Sequence, residues 1–226
     1  MSFLTFAWDW LKSPQQWHGP GDIPTRVLEH LGYSGLSLLL AMAIAVPLGL
    51  LIGHYGRGGF AVISVTNIWR AIPTLGLLIL VVVLLGLGVL SWLIPLVVLA
   101  IPPILINTYE GVAGVDPELK DAARGMGMTD WQVLWKVEVP VAVPLIMLGL
   151  RTGAIFVVAT ATIAAEIGAG GLGRYIIDGL ASNNYGEVAG GAAVIVVLAL
   201  LIQLLFTGLR RLVVPTGLRL QARSSR

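Results

Sequence analysis

Five apolar stretches, each long enough to cross a bilayer, constrain this chain more than any other feature of its sequence. A helix crosses about 30 Å of hydrocarbon with about 20 residues, because each residue adds about 1.5 Å. Only 12% of the 226 residues are charged and 57% are hydrophobic. Soluble domains carry about 25% charged residues. The sequence therefore predicts one all-α membrane domain with about five spans, at 31–53, 60–87, 89–109, 141–165 and 188–212.

Proline residues are expected to break or kink these stretches, and pairs of glycines are expected to let helices pack closely. The second stretch is predicted to break near Pro73, because proline removes a backbone donor and disfavours helix at the preceding residue. Gly49 with Gly53, and Gly186 with Gly190, have the spacing that lets two membrane helices approach closely. Prolines inside spans predict either kinks for packing or breaks that border a cavity.

Lysine and arginine are distributed unevenly between the loops, and this bias sets the orientation of a membrane protein. With the N-terminus outside, nine basic residues fall in inner segments and three in outer segments. The inner ones are Arg57, Lys120, Arg124, Lys136, Arg210, Arg211, Arg219, Arg223 and Arg226; the outer ones are Lys12, Arg26 and Arg174. We therefore expect residues 1–25 to form a tryptophan-rich extracytoplasmic interfacial segment without a cleavable signal, 26–213 the membrane domain, and 214–226 a basic cytoplasmic tail.

A polar block, residues 113–140, separates the third and fourth stretches. Asp116 followed by Pro117 predicts a helix start, and the short helix is expected to run to Arg124. Gly125 and Gly127 are expected to end that helix and to allow a sharp turn. Thr129 can then cap a second helix over 130–137, and Pro140 is expected to begin the return into the membrane. The block therefore predicts a compact pair of helices joined by a turn.

This block resembles the cytoplasmic EAA loop of ABC importer permeases. That pattern is Glu-Ala-Ala, three residues, Gly, nine residues, Ile, one residue and Leu-Pro. The chain has Asp121-Ala122-Ala123, then Gly127, then Val137 and Val139-Pro140 at the same spacing. In that family the loop docks on a partner ATPase. The resemblance implies that these residues couple the chain to such a partner: Asp121, Ala122, Ala123, Arg124, Gly125, Met126, Gly127 and Pro140.

Further segments resemble the glycine betaine/carnitine/choline permeases, which import osmoprotectants. They are residues 67–75, 104–112, 115–117, 121–128, 136–140, 149–152 and 159–173. The resemblance implies the transmembrane domain of a type I ABC importer in the bacterial cytoplasmic membrane. It implies two permease subunits, identical or paralogous, two ATPases that carry ATP and magnesium, and an extracytoplasmic solute-binding protein. The expected cargo is a compatible solute such as glycine betaine, carnitine, choline or proline betaine.

Polar and ionisable residues within the spans are candidates for the solute pathway or a gate, because a charge in hydrocarbon is costly. The candidates are Asn67, Arg70, Asn107, Arg151, Thr162 and Glu166. An equally open interpretation is structural, with each side chain paired to a backbone carbonyl or to another helix. The sequence does not decide between the two.

No constellation of catalytic residues is present in the sequence. The three histidines, His18, His30 and His54, are expected in or beside loops and are not predicted to bind a metal. The glycine-rich segment 168–173 lacks the Lys-Ser/Thr that follows a phosphate-binding loop, so the chain is not expected to bind ATP itself. The chain has no cysteine, which excludes disulfides and thiol catalysis. The basic excess is explained by topology, and no nucleic-acid partner is expected.

Other functions remain open at this point. The nearest alternative is an ABC permease for methionine, a phosphonate or another small solute. A stand-alone channel or an ion-driven secondary carrier would transport solute without an ATPase, although no inverted repeat of the kind found in many carriers is evident. A non-transporting membrane scaffold would tolerate changes at Gly127.

Overall fold

The computed structural model describes residues 3–213, except the side chains of Phe3, Leu4 and Arg70. The tail predicted at 214–226 lies outside the described residues. Between residues 3 and 213 all regular structure is helical, as the sequence predicts. The α-helices are α1 (Phe3–Lys12), α2 (Ile23–Tyr55), α3 (Gly59–Arg70), α4 (Thr74–Leu85), α5 (Val89–Ala113), α6 (Pro117–Gly125), α7 (Asp130–Val133), α8 (Val139–Ala164), α9 (Gly173–Ala181) and α10 (Tyr185–Val213).

Four continuous helical segments in the described range are long and apolar enough to cross a membrane. They are Ile23–Tyr55, Val89–Ala113, Asp130–Ile167 and Tyr185–Val213. Helices α3 and α4 would make a fifth span if they count as one broken span. The interruption falls where the sequence predicts it. Helix α3 ends at Arg70, and Pro73, which has a φ of −64°, directly precedes the first residue of α4. The prediction of about five spans is therefore confirmed.

Helix α2 starts earlier than predicted, and this changes the position of one histidine. The Asp22 carboxylate accepts a hydrogen bond from the Thr25 N–H at 2.9 Å and so caps the start of α2. His30 then lies inside α2 and is fully buried, with Nε2 3.1 Å from the Val158 carbonyl oxygen of α8. The expectation that His30 lies beside a loop is wrong. The cap moves the helix start to Ile23, eight residues before the predicted stretch.

The chain divides into two compact units, and α2, α5, α8 and α10 contribute residues to both. One unit comprises residues 3–39, Ile72–Ala100 and Ala154–Ile202. Its core holds Trp10, Ile23, Leu172, Tyr175 and Leu198. The Trp10 and Tyr175 rings meet edge to face, 5.0 Å apart, so α1 packs as part of this core.

The glycine-rich segment of this unit is folded against the start of α2. The Gly171 N–H donates to Glu29 Oε2 at 2.8 Å, and Arg26 binds the same oxygen at 2.9 Å. Gly171 has φ +80°, and an added β-carbon there would lie 3.1 Å from His30 Nδ1. Glycine is required both by this backbone conformation and by the close approach. The segment has a packing role in this unit.

The other unit comprises Leu40–Ala71, Ile101–Gly153 and residues 203–213. Its core holds Leu50, Val112, Leu134 and Ala142. Gly53 of α2 lies against Val112 of α5, where an added β-carbon would come within 2.7 Å of the Val112 Cβ. The Gly49 and Gly53 pair therefore does what its spacing predicts and lets α2 and α5 approach closely.

The second helix of the polar block does not end at residue 137, so that expectation is wrong. A π-helical turn, Leu134–Glu138, joins α7 to α8, and helix continues from Asp130 to Ile167. Pro140 lies in the first turn of α8. Proline lacks an N–H and crowds the carbonyl four residues earlier, and that carbonyl belongs to Lys136 within the π turn. The loop is therefore joined rigidly to α8.

Candidate functional site

Helix α6, the centre of the polar block, is capped at both ends by its own sequence. The Asp116 carboxylate accepts a hydrogen bond from the Glu118 N–H at 2.9 Å. At the other end the Met128 N–H donates to the Ala123 carbonyl at 3.2 Å, and the Gly127 N–H donates to the Arg124 carbonyl at 2.9 Å. This pair of bonds is a Schellman motif, and it holds Gly127 at φ +83°. A nine-residue helix is thus fixed at a set length and ends in a sharp turn.

One side of α6 presents a small apolar surface. Leu119, Ala122 and Met126 are all exposed, and Met126 is 73% exposed. Their spacing of three and four residues places them on one face of the helix. Charged side chains surround them, since Asp121 and Arg124 are also exposed. Exposed apolar residues with a polar rim suit contact with another protein.

The turn between α6 and α7 is braced at its surface. Arg124 lies 3.3 Å from Asp130 and 3.7 Å from Asp121, and all three side chains are about half exposed or more. Exposed ion pairs contribute between zero and about 1 kcal/mol, so these pairs add little stability. Thr129 and Gln132 form a capping box that starts α7. The local sequence therefore determines the shape of this turn.

Beneath the loop lies a buried ionic network that we call the Glu138 network, consisting of His54, Lys120 and Glu138. The Glu138 side chain is fully buried. Its Oε2 accepts a hydrogen bond from His54 Nδ1 at 2.6 Å, and its Oε1 lies 3.0 Å from Lys120 Nζ. Lys120 Nζ also donates to the Val112 carbonyl at 3.2 Å. One carboxylate therefore joins the last turn of α2, helix α6 and the π turn, and the lysine adds the end of α5.

The energetics of this network make it sensitive to single changes. A buried carboxylate is tolerated only when it is paired and hydrogen-bonded. Removal of one partner from a buried ion pair costs about 3–5 kcal/mol, because it leaves an uncompensated charge. Replacement of a whole buried ion pair by well-packed hydrophobic groups of similar volume is often neutral for stability. Loss of one member of the network is therefore expected to cost more than loss of the whole ion pair.

This network is not evident from the sequence. The sequence places His54 beside a loop and Lys120 in the short helix of the polar block, and Glu138 lies between the anchors Val137 and Val139. A signal was present in the sequence, because Glu138 is a lone carboxylate next to Val137, Val139 and Pro140 at the head of a span. A carboxylate at the head of a span needs a basic or hydrogen-bonding partner. The partner could not be identified, since His54 lies 84 residues away along the chain.

An apolar groove of about 190 Å³ lies between α2 and the α7 region. It is lined by Val46, Pro47, Leu50, Leu51, Trp131, Leu134 and Trp135. The rings of Trp131 and Trp135 meet edge to face, 5.6 Å apart, and both side chains are about half exposed. Tryptophans of this kind suit the boundary between membrane and water. Leu134 is buried and belongs to the core of its unit.

Among the five candidate pathway residues whose side chains are described, no hydrogen bond or ion pair joins one to another. Asn67 and Glu166 are exposed, and the Arg70 side chain lies outside the described residues. Arg151 and Thr162 are half-buried, and the Thr162 hydroxyl donates to the Val158 carbonyl at 3.2 Å. Asn107 donates to the Pro103 carbonyl at 2.7 Å. For Asn107 and Thr162 the backbone of their own helices satisfies the polar group, which is the structural interpretation. A pathway role stays a prediction for all six.

Within residues 3–213, no group of three or more His, Cys, Asp or Glu side chains could hold a metal ion. The loop itself has an exposed apolar face, a charged rim and a buried ionic base, and such a surface suits contact with another protein. Comparison with known proteins identifies the family of the chain. The family described as binding-protein-dependent transport system inner membrane component matches residues 45–216.

The chain belongs to this family. Among its relatives, the glycine betaine/carnitine/choline transport system permease protein OpuCB of Bacillus subtilis is 38% identical over 88% of this permease and 92% of that protein. The carnitine transport permease protein OpuCB of Listeria monocytogenes is 39% identical over 88% and 91%. The osmoprotectant import permease protein OsmW of Salmonella typhimurium is 33% identical over 88% and 95%.

A solved structure supports the same assignment. A chain of the MetNI methionine ABC transporter, solved in an inward-facing conformation, superposes with a TM-score of 0.75 at 26% identity. The match covers 90% of this permease and all of that chain. The protein is therefore a translocation subunit with the transmembrane fold of a type I ABC importer. Its location in a membrane follows from the family and from its apolar helices.

Proposed function

We propose that this permease imports a compatible solute, namely glycine betaine, carnitine, choline or proline betaine. The observation that carries the proposal is the identity of 33–39%, over 88% of the chain, with permeases named for glycine betaine, carnitine, choline or osmoprotectants. The methionine importer chain is less similar, at 26% identity. The solute itself would be chosen mainly by an extracytoplasmic binding protein that delivers it to the permease.

The loop from residue 113 to residue 140 is, in this proposal, the docking element for a partner ATPase. Its support is geometric: α6 is capped at both ends, anchored from below by the Glu138 network, and exposes Leu119, Ala122 and Met126. The residues proposed to act in coupling are Asp121, Ala122, Ala123, Arg124, Gly125, Met126, Gly127 and Pro140. Ala123 is buried and would act by letting α6 lie close to its support.

The proposed assembly follows the family pattern. Two permease subunits, identical or paralogous, would enclose one path, and two ATPase subunits carrying ATP and magnesium would bind the loops. The orientation proposed from the basic residues has the N-terminus outside and the C-terminus inside. Residues 1–25 would then be extracytoplasmic, 26–213 would form the permease domain, and 214–226 would be a cytoplasmic tail. Asn67, Arg70, Asn107, Arg151, Thr162 and Glu166 remain candidates for the path or its gates.

The proposal is tested by reconstitution into proteoliposomes with the partner ATPase and the binding protein. Radiolabelled glycine betaine, choline, carnitine and methionine are supplied outside, and ATP inside. We expect uptake of at least one of the first three solutes only with ATP, ATPase and binding protein together. Uptake without an ATPase would indicate a channel or carrier and would contradict the proposal.

Methionine is the second candidate solute, because the MetNI permease shares the fold over its full length. The same assay separates the two. Methionine uptake without uptake of betaine, choline or carnitine would reject the osmoprotectant assignment and leave the ABC permease assignment intact.

A further inference from the structure

Helix α6 is joined to the helices beneath it through the Glu138 network. All residues of α6 are described, and Ala123 is its only buried side chain. Lys120 is its only other side chain that is largely covered, at 15% exposure. Helix α6 also contacts α7 and the π turn. Lys120 provides a polar attachment from α6 to Glu138 and to the end of α5.

The Glu138 network also joins the ends of helices that are far apart in sequence. His54 lies at the last turn of α2, Val112 at the last turn of α5, and Glu138 at the start of the long helix that continues into α8. The Lys120 ammonium contacts both the Glu138 carboxylate and the Val112 carbonyl. A displacement of α6 would therefore act on α5 through the Lys120 hydrogen bond to Val112, and on α2 and α8 through the Lys120–Glu138 ion pair and the His54–Glu138 hydrogen bond.

We propose that Glu138 is a positioning residue that makes α6, α2, α5 and α8 move together, so that force applied to α6 reaches the membrane helices. The inference rests on the proposed docking of an ATPase at α6, and it adds a specific residue for the transmission step. Glu138 itself is not expected to touch the partner, since its side chain is fully buried. Its loss should therefore leave ATPase binding unchanged and should weaken transmission.

The decisive variant removes both charges at once, Lys120→Met with Glu138→Gln. It leaves no unpaired buried charge, so the protein is expected to fold and to insert as the wild type does. ATPase binding is measured by co-purification, ATP hydrolysis by phosphate release, and solute uptake in proteoliposomes of the whole complex. We expect normal co-purification and hydrolysis, and a fall in solute taken up per ATP of about fivefold or more.

Two further variants sharpen the test. Glu138→Asp keeps a carboxylate on a shorter side chain and is expected to retain an intermediate ratio of uptake to hydrolysis. Glu110→Gln removes an exposed carboxylate from α5 and is expected to keep the wild-type ratio. An unchanged ratio in the Lys120→Met, Glu138→Gln variant would overturn the inference, as would uptake and hydrolysis falling in proportion. A wild-type chain that never binds an ATPase would instead reject the proposed function itself.

Discussion

Gly49 of α2 lies so close to Thr108 of α5 that a β-carbon on Gly49 would be 2.7 Å from the Thr108 Cβ. The Leu105 carbonyl oxygen would be 3.1 Å away, so the obstacle includes backbone. The Thr108 side chain is fixed as well, because its hydroxyl donates to the Ile104 carbonyl at 2.8 Å. The two helices therefore cannot accept a larger residue at Gly49 without moving apart.

Gly49→Ala is expected to destabilise the permease by about 1–3 kcal/mol, the usual cost of overpacking a well-filled interior. For a chain of this size that lowers the unfolding temperature by roughly 2–4 °C per kcal/mol. Gly32 lies in the same helix with no heavy atom within 4 Å of its would-be β-carbon, so Gly32→Ala should change little. Thermal unfolding of both variants in detergent checks this. Equal unfolding temperatures for the two variants would contradict the close α2–α5 contact.

Helix α1 is held against α10 by a glycine that makes room for tryptophan. A β-carbon on Gly190 would overlap the Trp10 ring, whereas one on Gly208 of the same helix would meet nothing within 4 Å. Gly190→Ala should therefore displace α1, and Gly208→Ala should not. The measurement is limited trypsin cleavage after Lys12, which is exposed at the end of α1. Faster cleavage is expected for Gly190→Ala alone, and identical rates would show that α1 does not pack there.

Gly127 is constrained by its backbone and not by its surroundings. Its φ is +83°, and no atom lies within 4 Å of an added β-carbon. A left-handed conformation costs an L-residue roughly 1–2 kcal/mol, and more for a β-branched one, whereas asparagine tolerates it. Gly127→Val is therefore expected to make the native turn about tenfold less favourable, since 1.4 kcal/mol is a factor of ten, and so to lower ATP-driven uptake. Gly127→Asn should retain most uptake, and both should insert normally, as judged by the amount of protein in membranes. Full uptake with Gly127→Val would contradict a role for this turn.

The buried hydroxyl of Tyr175 leads us to expect a specific pH dependence of the free energy of unfolding. Burial raises the pKa of Tyr175 to about 12, and its hydroxyl donates to the Gly21 carbonyl at 2.7 Å. Between pH 10 and about 12 the unfolded chain loses this proton while the folded chain keeps it, so stability falls as pH rises through that window. The fall attributable to Tyr175 is at most about 1.4 kcal/mol per pH unit, and it is absent below pH 10. The check is the difference in unfolding free energy between wild type and Tyr175→Phe at pH 9 and pH 11.5; no change in that difference would contradict the prediction.

The parts of the fold that depend on neighbours in sequence were predictable. The interruption at Pro73 follows from proline chemistry, and the turn at Gly127 follows from the helix-ending role of glycine. The spans follow from apolar length, although the four continuous helical segments extend beyond the stretches predicted for them. At Asp22, for example, a cap extends α2 beyond the apolar stretch by hydrogen-bonding the Thr25 backbone. The length and the polarity of an apolar stretch do not reveal such a cap.

The parts that depend on distant partners were not predictable. His30 looks like a loop residue by position, and only its contact with the Val158 carbonyl explains why it is buried. Glu138 looks like an interruption of an apolar run, and it becomes stable only through His54 and Lys120. The π turn before Pro140 is a further case, because the sequence gives no reason to choose a wide turn over a helix end. A single sequence does not identify which of many polar residues will meet.

The most direct test of the central claim, that α6 docks a separate ATPase, uses the absence of native cysteine. Ala122→Cys on the exposed face of α6 and Gln15→Cys, also exposed, each provide a single thiol for a photoactivated cross-linker. In the assembled, transporting complex we expect a covalent adduct with the ATPase from position 122 and none from position 15. No adduct from position 122, or equal adducts from both positions, would contradict the account.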